Sequence, residues 1–276
     1  MTMTRGLTLC RSLLLLMVVA AMGFAKSTPL PFKPAPVPGG VAVVAIKGKD
    51  TPPKVTYHAE PVLVRRTATG WQAVVGVPLS AKPGQEAIEV DGHAVPFNIH
   101  PKRYPEQRLR LENKRHVNPN PEDEARITRE EALIKPAWKA WPEGFLPSLV
   151  LRQPTPGALT ASFGMRRILN GEARAPHPGL DIKAPQGQAV RAPAAGVVVL
   201  TGNFFFAGNA VFLAHGEGMV SLLCHLSKIS VKQGQVLKAG DLLGEVGATG
   251  RATGPHLHWS LSLNNARVDP KIFLKH

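Results

Sequence analysis

The chain of 276 residues has only two cysteines, Cys10 and Cys224. Cys10 precedes the N-terminal apolar run instead of following it, which excludes it as a lipid-attachment site. Removal of the N-terminus leaves Cys224 alone, and a single cysteine excludes an intrachain disulfide framework. Beyond that N-terminal run no apolar stretch is long enough to span a bilayer. Acidic residues are scarce: 19 Asp and Glu face 33 Lys and Arg, for a formal charge of +14. Such a chain is drawn to polyanions such as cell-wall polymers or anionic head groups. The basic residues are scattered, with no basic helix or base-stacking motif, so no nucleic-acid partner is expected. Proline and glycine are plentiful, 26 of each, which favours turns and short strands over long helices. A hydrophobic content of 44% is enough for a packed core.

The N-terminus reads as an export signal. Arg5 and Arg11 form a basic region, residues 12–22 form a short apolar core, and Gly23-Phe24-Ala25 offers small residues for cleavage after Ala25. The expected mature protein is exported to the periplasm or cell envelope, meets the membrane only during export, and keeps about +12 of charge. Residues 26–117 hold short strand-like runs at Val41–Ile46, Pro61–Val64, Trp71–Val77, Ala87–Val90 and His93–Phe97, with a hairpin turn at Asp91-Gly92. This spacing predicts a small β-sandwich without chemistry of its own. Its histidines, His58, His93 and His100, lack ligand spacing. Residues 118–150 read as a helical linker. Asn120 is the N-cap, Pro121 the first helical residue, Glu131 and Lys135 an i,i+4 pair, and Pro136 a terminator or kink. Residues 151–276 return to strands and tight turns, a compact antiparallel sheet. The fold class is mainly β.

Five of the ten histidines lie between positions 177 and 258. His256-Leu257-His258 sits in an apolar, β-prone run, and on a strand residues i and i+2 share a face. Two imidazoles side by side are candidate metal ligands or acid–base groups. Upstream, His177-Pro178-Gly179-Leu180-Asp181 reads as a loop entering a strand. A carboxylate between Leu180 and Ile182 is costly unless paired or ligated. His177, Asp181 and one member of the downstream pair would give zinc three protein ligands and an open fourth position, the mark of a catalytic site. His225, after a strand, is the remaining imidazole. His215 reads as a turn residue, and alternation turns Cys224 away from His225.

Residues from about Pro154 to Phe273 resemble the M23 zinc metallopeptidases, the lysostaphin-type or LytM domain. The resemblance is carried by Ser162-Phe163-Gly164-Met165-Arg166, His177-Pro178-Gly179-Leu180-Asp181, Gly208-Asn209-Ala210-Val211, His225-Leu226, residues 250–258 and Val268-Asp269-Pro270. It implies Zn2+ held by His177, Asp181 and His258, with His225 and His256 as the two catalytic histidines. The implied substrate is the peptide of bacterial peptidoglycan. The N-terminal region resembles, more loosely, that of exported M23 enzymes. A regulatory adaptor or inhibitor is a possible partner, and the N-terminal domain is expected to restrain or orient the peptidase. Two positions depart from the pattern: Leu223 stands where a Tyr is common, and Ala214 where an Asp is common. The alternative is a non-catalytic member that binds wall or activates an amidase; such members lack ligands or catalytic histidines that this chain keeps. A lipoyl-type carrier domain explains the Ala-Pro-Ala-Ala-Gly turn but none of the histidines.

Overall fold

The computed structural model describes residues 29–48 and 50–275. The export signal read over residues 1–25 lies outside them. Among the described residues no helix is long and apolar enough to cross a membrane.

Short alternating runs give the N-terminal half its two sheets. One has the order β1 (Val41–Lys47), β5 (Gly70–Gly76), β4 (Leu63–Thr67); the other has the order β3 (Glu60–Pro61), β2 (Val55–Tyr57), β6 (Gly84–Val90), β7 (His93–Ile99). Their facing side chains, among them Val44, Tyr57, Ala73, Val75 and Ile88, share one apolar cluster. Asp91 and Gly92 turn the β6–β7 hairpin with φ of 48° and 84°. Positive φ at both central residues is the requirement of a tight hairpin, and Asp-Gly meets it.

The C-terminal half is built on a large antiparallel sheet. Its main order is β17 (Val236–Leu237), β14 (Gly196–Phe204), β15 (Gly208–Gly216), β16 (Met219–Ile229), β19 (His256–Leu263), β12 (Leu180–Lys183), β9 (Ala158–Ala161). Strands β13 (Ala189–Arg191), β18 (Leu242–Val246) and β20 (Ala266–Val268) attach at its margins. Period-two alternation sorts β19 into two faces. Leu257, Trp259, Leu261 and Leu263 are fully buried in the core, while His256, His258 and Ser260 line a groove. In β12, Leu180 and Ile182 enter the same core and Asp181 faces the groove.

The two halves are joined by packing. Val41, Leu63 and Val74 belong to the same apolar cluster as Leu261, Leu263 and Phe273. The Asn264 side chain completes the junction: Gly76 N–H donates to its Oδ1 at 2.7 Å, and its Nδ2 donates to Gly76 O at 3.0 Å. A third sheet crosses between them, with β8 (Glu106–Leu109) parallel to β10 (Arg166–Leu169), and β10 antiparallel to β11 (Glu172–Arg174).

Helix α1 (Pro121–Trp138) starts as its sequence predicts. The Asn120 side chain accepts from Asp123 N–H at 2.9 Å, and Glu131 pairs with Lys135 at 3.0 Å. Pro136 does not end it; the helix runs two residues further. A proline in the last turn removes a single backbone bond. Burial of Trp138, whose ring meets Phe212 edge-on at 5.1 Å, offsets that loss by roughly 1.5–3 kcal/mol. Arg267 stacks its guanidinium 3.9 Å from the same ring. The helix therefore caps the face of β14 and β15, and Glu130 receives the Phe205 N–H at 2.8 Å.

Candidate active site

The groove encloses about 1190 Å³. Its floor is the face of β16 and β19 that carries Leu222, Cys224, His258 and Ser260. Its walls come from Leu109, Leu169, Trp138, Tyr57 and Leu79, so the N-terminal half and α1 both border it.

Four of the five predicted residues, Asp181, His225, His256 and His258, line this groove, and His177 is buried directly against Asp181 and His258. His177 Nε2 lies 3.1 Å from Asp181 Oδ1 and 2.9 Å from His258 Nδ1, and His258 Nδ1 lies 2.8 Å from the same Asp181 oxygen. Strand register accounts for this, because Asp181 stands directly opposite His258 on β12 and β19. His177 is fully buried, its backbone bound on both sides: its N–H donates to Met165 O at 2.9 Å, and its carbonyl accepts from Gly164 N–H at 2.8 Å.

Hydrogen bonds set the imidazole tautomers. His177 Nδ1 faces Ser162 O at 3.1 Å. A carbonyl only accepts, so Nδ1 carries the hydrogen and Nε2 turns a lone pair toward Asp181 and His258. His258 Nε2 meets Ser260 Oγ at 2.8 Å, leaving Nδ1 to face inward. Two imidazole nitrogens and a carboxylate oxygen converge on one point, a donor set suited to a cation such as zinc. Burial alone would raise the Asp181 carboxyl, but hydrogen bonds and charge from His177 and His258, when those rings are protonated, outweigh it and hold the carboxyl well below the usual range. Burial pushes His258 down to about 4 against the opposing pull of Asp181.

His225 and His256 stand beside this cluster with ring centroids 4.9 Å apart. His225 Nδ1 donates to Thr249 O at 2.8 Å, and His256 Nδ1 donates to Gly254 O at 2.8 Å. Both Nε2 atoms are therefore free to accept a proton. Burial, with the neighbouring His258 and His256 charges adding, pushes His225 down to about 3.

Two sequence expectations change. Alternation on β16 placed Cys224 away from His225, yet both line the groove. His225 has φ of 65°, which breaks the alternation, and Cys224 stands opposite His258 in register. Burial raises the Cys224 thiol, which stays protonated and unreactive. Leu223, where the family pattern commonly has Tyr, is fully buried in the core. His215 is no exposed turn residue: it is buried at the end of β15, with Nδ1 donating to Ala195 O at 2.8 Å and Nε2 accepting from Ser221 Oγ at 2.9 Å.

Burial pushes His215 down to about 4. Its folded value is below the unfolded one, so its contribution to stability is present above about pH 6.5 and is lost as pH falls toward 4. The expected loss is on the order of 3 kcal/mol. Melting temperatures between pH 7.5 and 4.5 should fall less steeply for His215→Gln than for the native protein. Parallel curves would show that His215 does not carry this dependence.

Sequence reasoning passed over Arg167 and Arg251, which also line the groove. Arg167 Nη2 lies 3.9 Å from Asp181 Oδ2, and its Nε is buried without a hydrogen-bond partner. Burial lowers it, against the pull of Asp181. Arg251 lies 4.5 Å over the Phe206 ring, and burial, with the Arg167 and Arg174 charges adding, pushes it down to about 10. A basic residue on a strand whose neighbours Ile168 and Leu169 are apolar was the available signal.

Residues 175–270 match Peptidase family M23, and residues 34–102 match the Peptidase family M23 N-terminal domain. A crystal structure of a peptidase M23 from Pseudomonas aeruginosa is 46% identical, with a TM-score of 0.73, and the match covers 86% of this chain and 94% of that one. The DD-carboxypeptidase/endopeptidase Mpg of Neisseria meningitidis is 47% identical over 94 residues, 34% of this chain and 22% of that protein. The peptidoglycan DD-endopeptidase ShyA of Vibrio cholerae is 42% identical over 112 residues, 40% of this chain and 26% of that protein. The chain thus spans about a quarter of the length of these two relatives.

Proposed function

Since the chain belongs to peptidase family M23, we propose that it is a zinc-dependent endopeptidase that hydrolyses peptide cross-links of bacterial peptidoglycan. The observation that carries this reading is the convergence of His177 Nε2, Asp181 Oδ1 and His258 Nδ1 beside two further histidines. Those three atoms would hold the metal. Zinc bound there supplies Lewis acidity toward the scissile carbonyl and the attacking water.

The chain's own groups supply the proton chemistry. His225 and His256 present Nε2 lone pairs at the groove, and one of them accepts the proton of the attacking water. The protonated imidazole then donates to the leaving amine, while its partner, when protonated at Nε2, stabilises the oxyanion. Their Nδ1 bonds to Thr249 O and Gly254 O keep both rings oriented without spending the reactive nitrogen. The N-terminal strands, which with α1 border the groove, restrain or orient the peptidase in this reading; their place in the groove lining supports it. The basic charge of the mature chain draws it to anionic wall polymers in the periplasm or cell envelope. The names of Mpg and ShyA support peptidoglycan as the substrate.

Digestion of purified sacculi tests this. Soluble muropeptides should be released by the mature protein, lost on chelation and restored by zinc. No release, or release indifferent to the chelator and to His256→Ala, would overturn the reading and favour a wall-binding or amidase-activating role.

A further inference from the structure

The groove holds more positive charge than its own acids answer. Three acids line it, and each has a partner: Glu60 meets Lys139, Glu131 meets Lys135, and Asp181 is engaged by His177 and His258. Arg174, nearby, is also paired, with Glu172 at 2.5 Å and with Asn118 Oδ1 at 2.7 Å. Arg167 and Arg251 are different. Among the described residues Arg167 has only Asp181 as an acidic neighbour, at 3.9 Å and committed elsewhere. Arg251 reaches one backbone carbonyl, His116 O, at 3.5 Å, and no acidic side chain among the described residues.

The surroundings of Arg167 are built to aim it. On β10, Arg167 and Leu169 face the groove, and Arg167 stands opposite Gln107 on β8. Both members of that pair bury a polar atom without a partner, Arg167 Nε and Gln107 Oε1. An unpaired buried polar atom is costly and calls for an explanation; a carboxylate oxygen would accept from the Arg167 Nε–H, whereas Gln107 Oε1, itself an acceptor, would not pair with it. A guanidinium offers planar, paired donors that match a carboxylate.

We propose that Arg167 and Arg251 form a carboxylate-binding subsite that grips a free carboxylate of the peptide substrate next to the scissile bond. The proposal rests on the peptidase reading above and narrows its substrate to peptides carrying that charge. Two sources share the chemistry: the terminal carboxylate of a D-alanyl-D-alanine stem, and the carboxylate of a diamino acid whose side-chain amine forms the cross-link.

Binding separates this from turnover. Zinc-loaded His256→Ala protein would be titrated calorimetrically with four peptides. Two end in D-alanyl-D-alanine, with the terminal carboxyl free or as carboxamide. Two are branched at a diamino acid, with its carboxyl free or as carboxamide. In at least one pair the free acid should bind about 10–100-fold tighter, the range of a charge-assisted bond. The pair that shows the preference identifies the source. Arg167→Gln and Arg251→Gln, each in the same background, should bring that ratio toward one, and Arg167→Lys should restore part of it. A purely structural role would weaken acid and amide alike and leave the ratio unchanged. A ratio of one in both pairs, a ratio that survives both glutamine variants, or no binding of any of the four overturns the proposal. Cleavage by the protein with His256 intact is read separately. Failure to cleave, with the preference retained, would sink the peptidase reading alone.

Discussion

His258→Ala is expected to lose both zinc and hydrolysis, whereas His256→Ala should keep stoichiometric zinc and lose only hydrolysis. The two imidazoles share a strand face and sit two residues apart, yet their surroundings differ. His258 Nδ1 is 2.8 Å from Asp181 Oδ1 and 2.9 Å from His177 Nε2, inside the convergent set. His256 Nε2 stands off at 3.8 Å from the same oxygen. On the reading proposed above, removing His258 would leave His177 and Asp181 as the two remaining ligands. Even groups that only orient a ligand contribute about 10–100-fold to metal affinity. Loss of a ligand should therefore weaken zinc by at least about 100-fold. On the mechanism proposed above, removing His256 would delete a proton-transfer group, which is worth about 10²–10⁴-fold in rate. Metal content of the purified variants, set beside muropeptide release, checks both halves. Equal loss of metal in the two would show that the division of labour is wrong.

Most of this site could be read from local patterns. The His-x-His run on an apolar alternation placed both imidazoles on one face, and β19 has that arrangement. Asp181 between Leu180 and Ile182 marked a polar residue on the far side of a core strand, and β12 turns it into the groove. Hairpin and helix starts followed from Asp91-Gly92 and Asn120-Pro121, because turn and cap chemistry is local. What escaped was non-local or conformational. The pairing of β8 with β10 joins segments about sixty residues apart with no turn between them, so the apolar neighbours of Arg167 were the sole hint and did not by themselves place it in a groove. The side of Cys224 was misread because His225 adopts φ of 65°, and no feature of Cys224-His225-Leu226 signals that break. The shared core of Val41, Leu63 and Val74 with the C-terminal strands depends on shape complementarity between sheets, to which hydrophobic alternation is blind.

Gly179→Ala should damage the site as severely as loss of a ligand, though Gly179 touches no substrate. A Cβ there would stand 2.5 Å from Trp259 O and 2.7 Å from His258 Nε2. The first contact is backbone in the centre of the sheet and cannot move without parting β12 from β19. The second is the imidazole whose Nε2 bond to Ser260 Oγ sets its tautomer. Relief of either clash shifts the Leu180–Trp259 and Asp181–His258 rungs, and with them the spacing of the ligand atoms. Overpacking of this kind costs about 1–3 kcal/mol of stability. The loss of zinc should exceed what that destabilisation alone would produce, because the same displacement spoils the ligand geometry. Gly254→Ala is the control: a Cβ at that position meets nothing within 4 Å, so fold and zinc content should be retained. Melting temperature and zinc stoichiometry measured on both variants decide the matter. A Gly179→Ala protein that melts and binds zinc like the native one would mean that the close approach of β12 to His258 is not what holds the ligand in place.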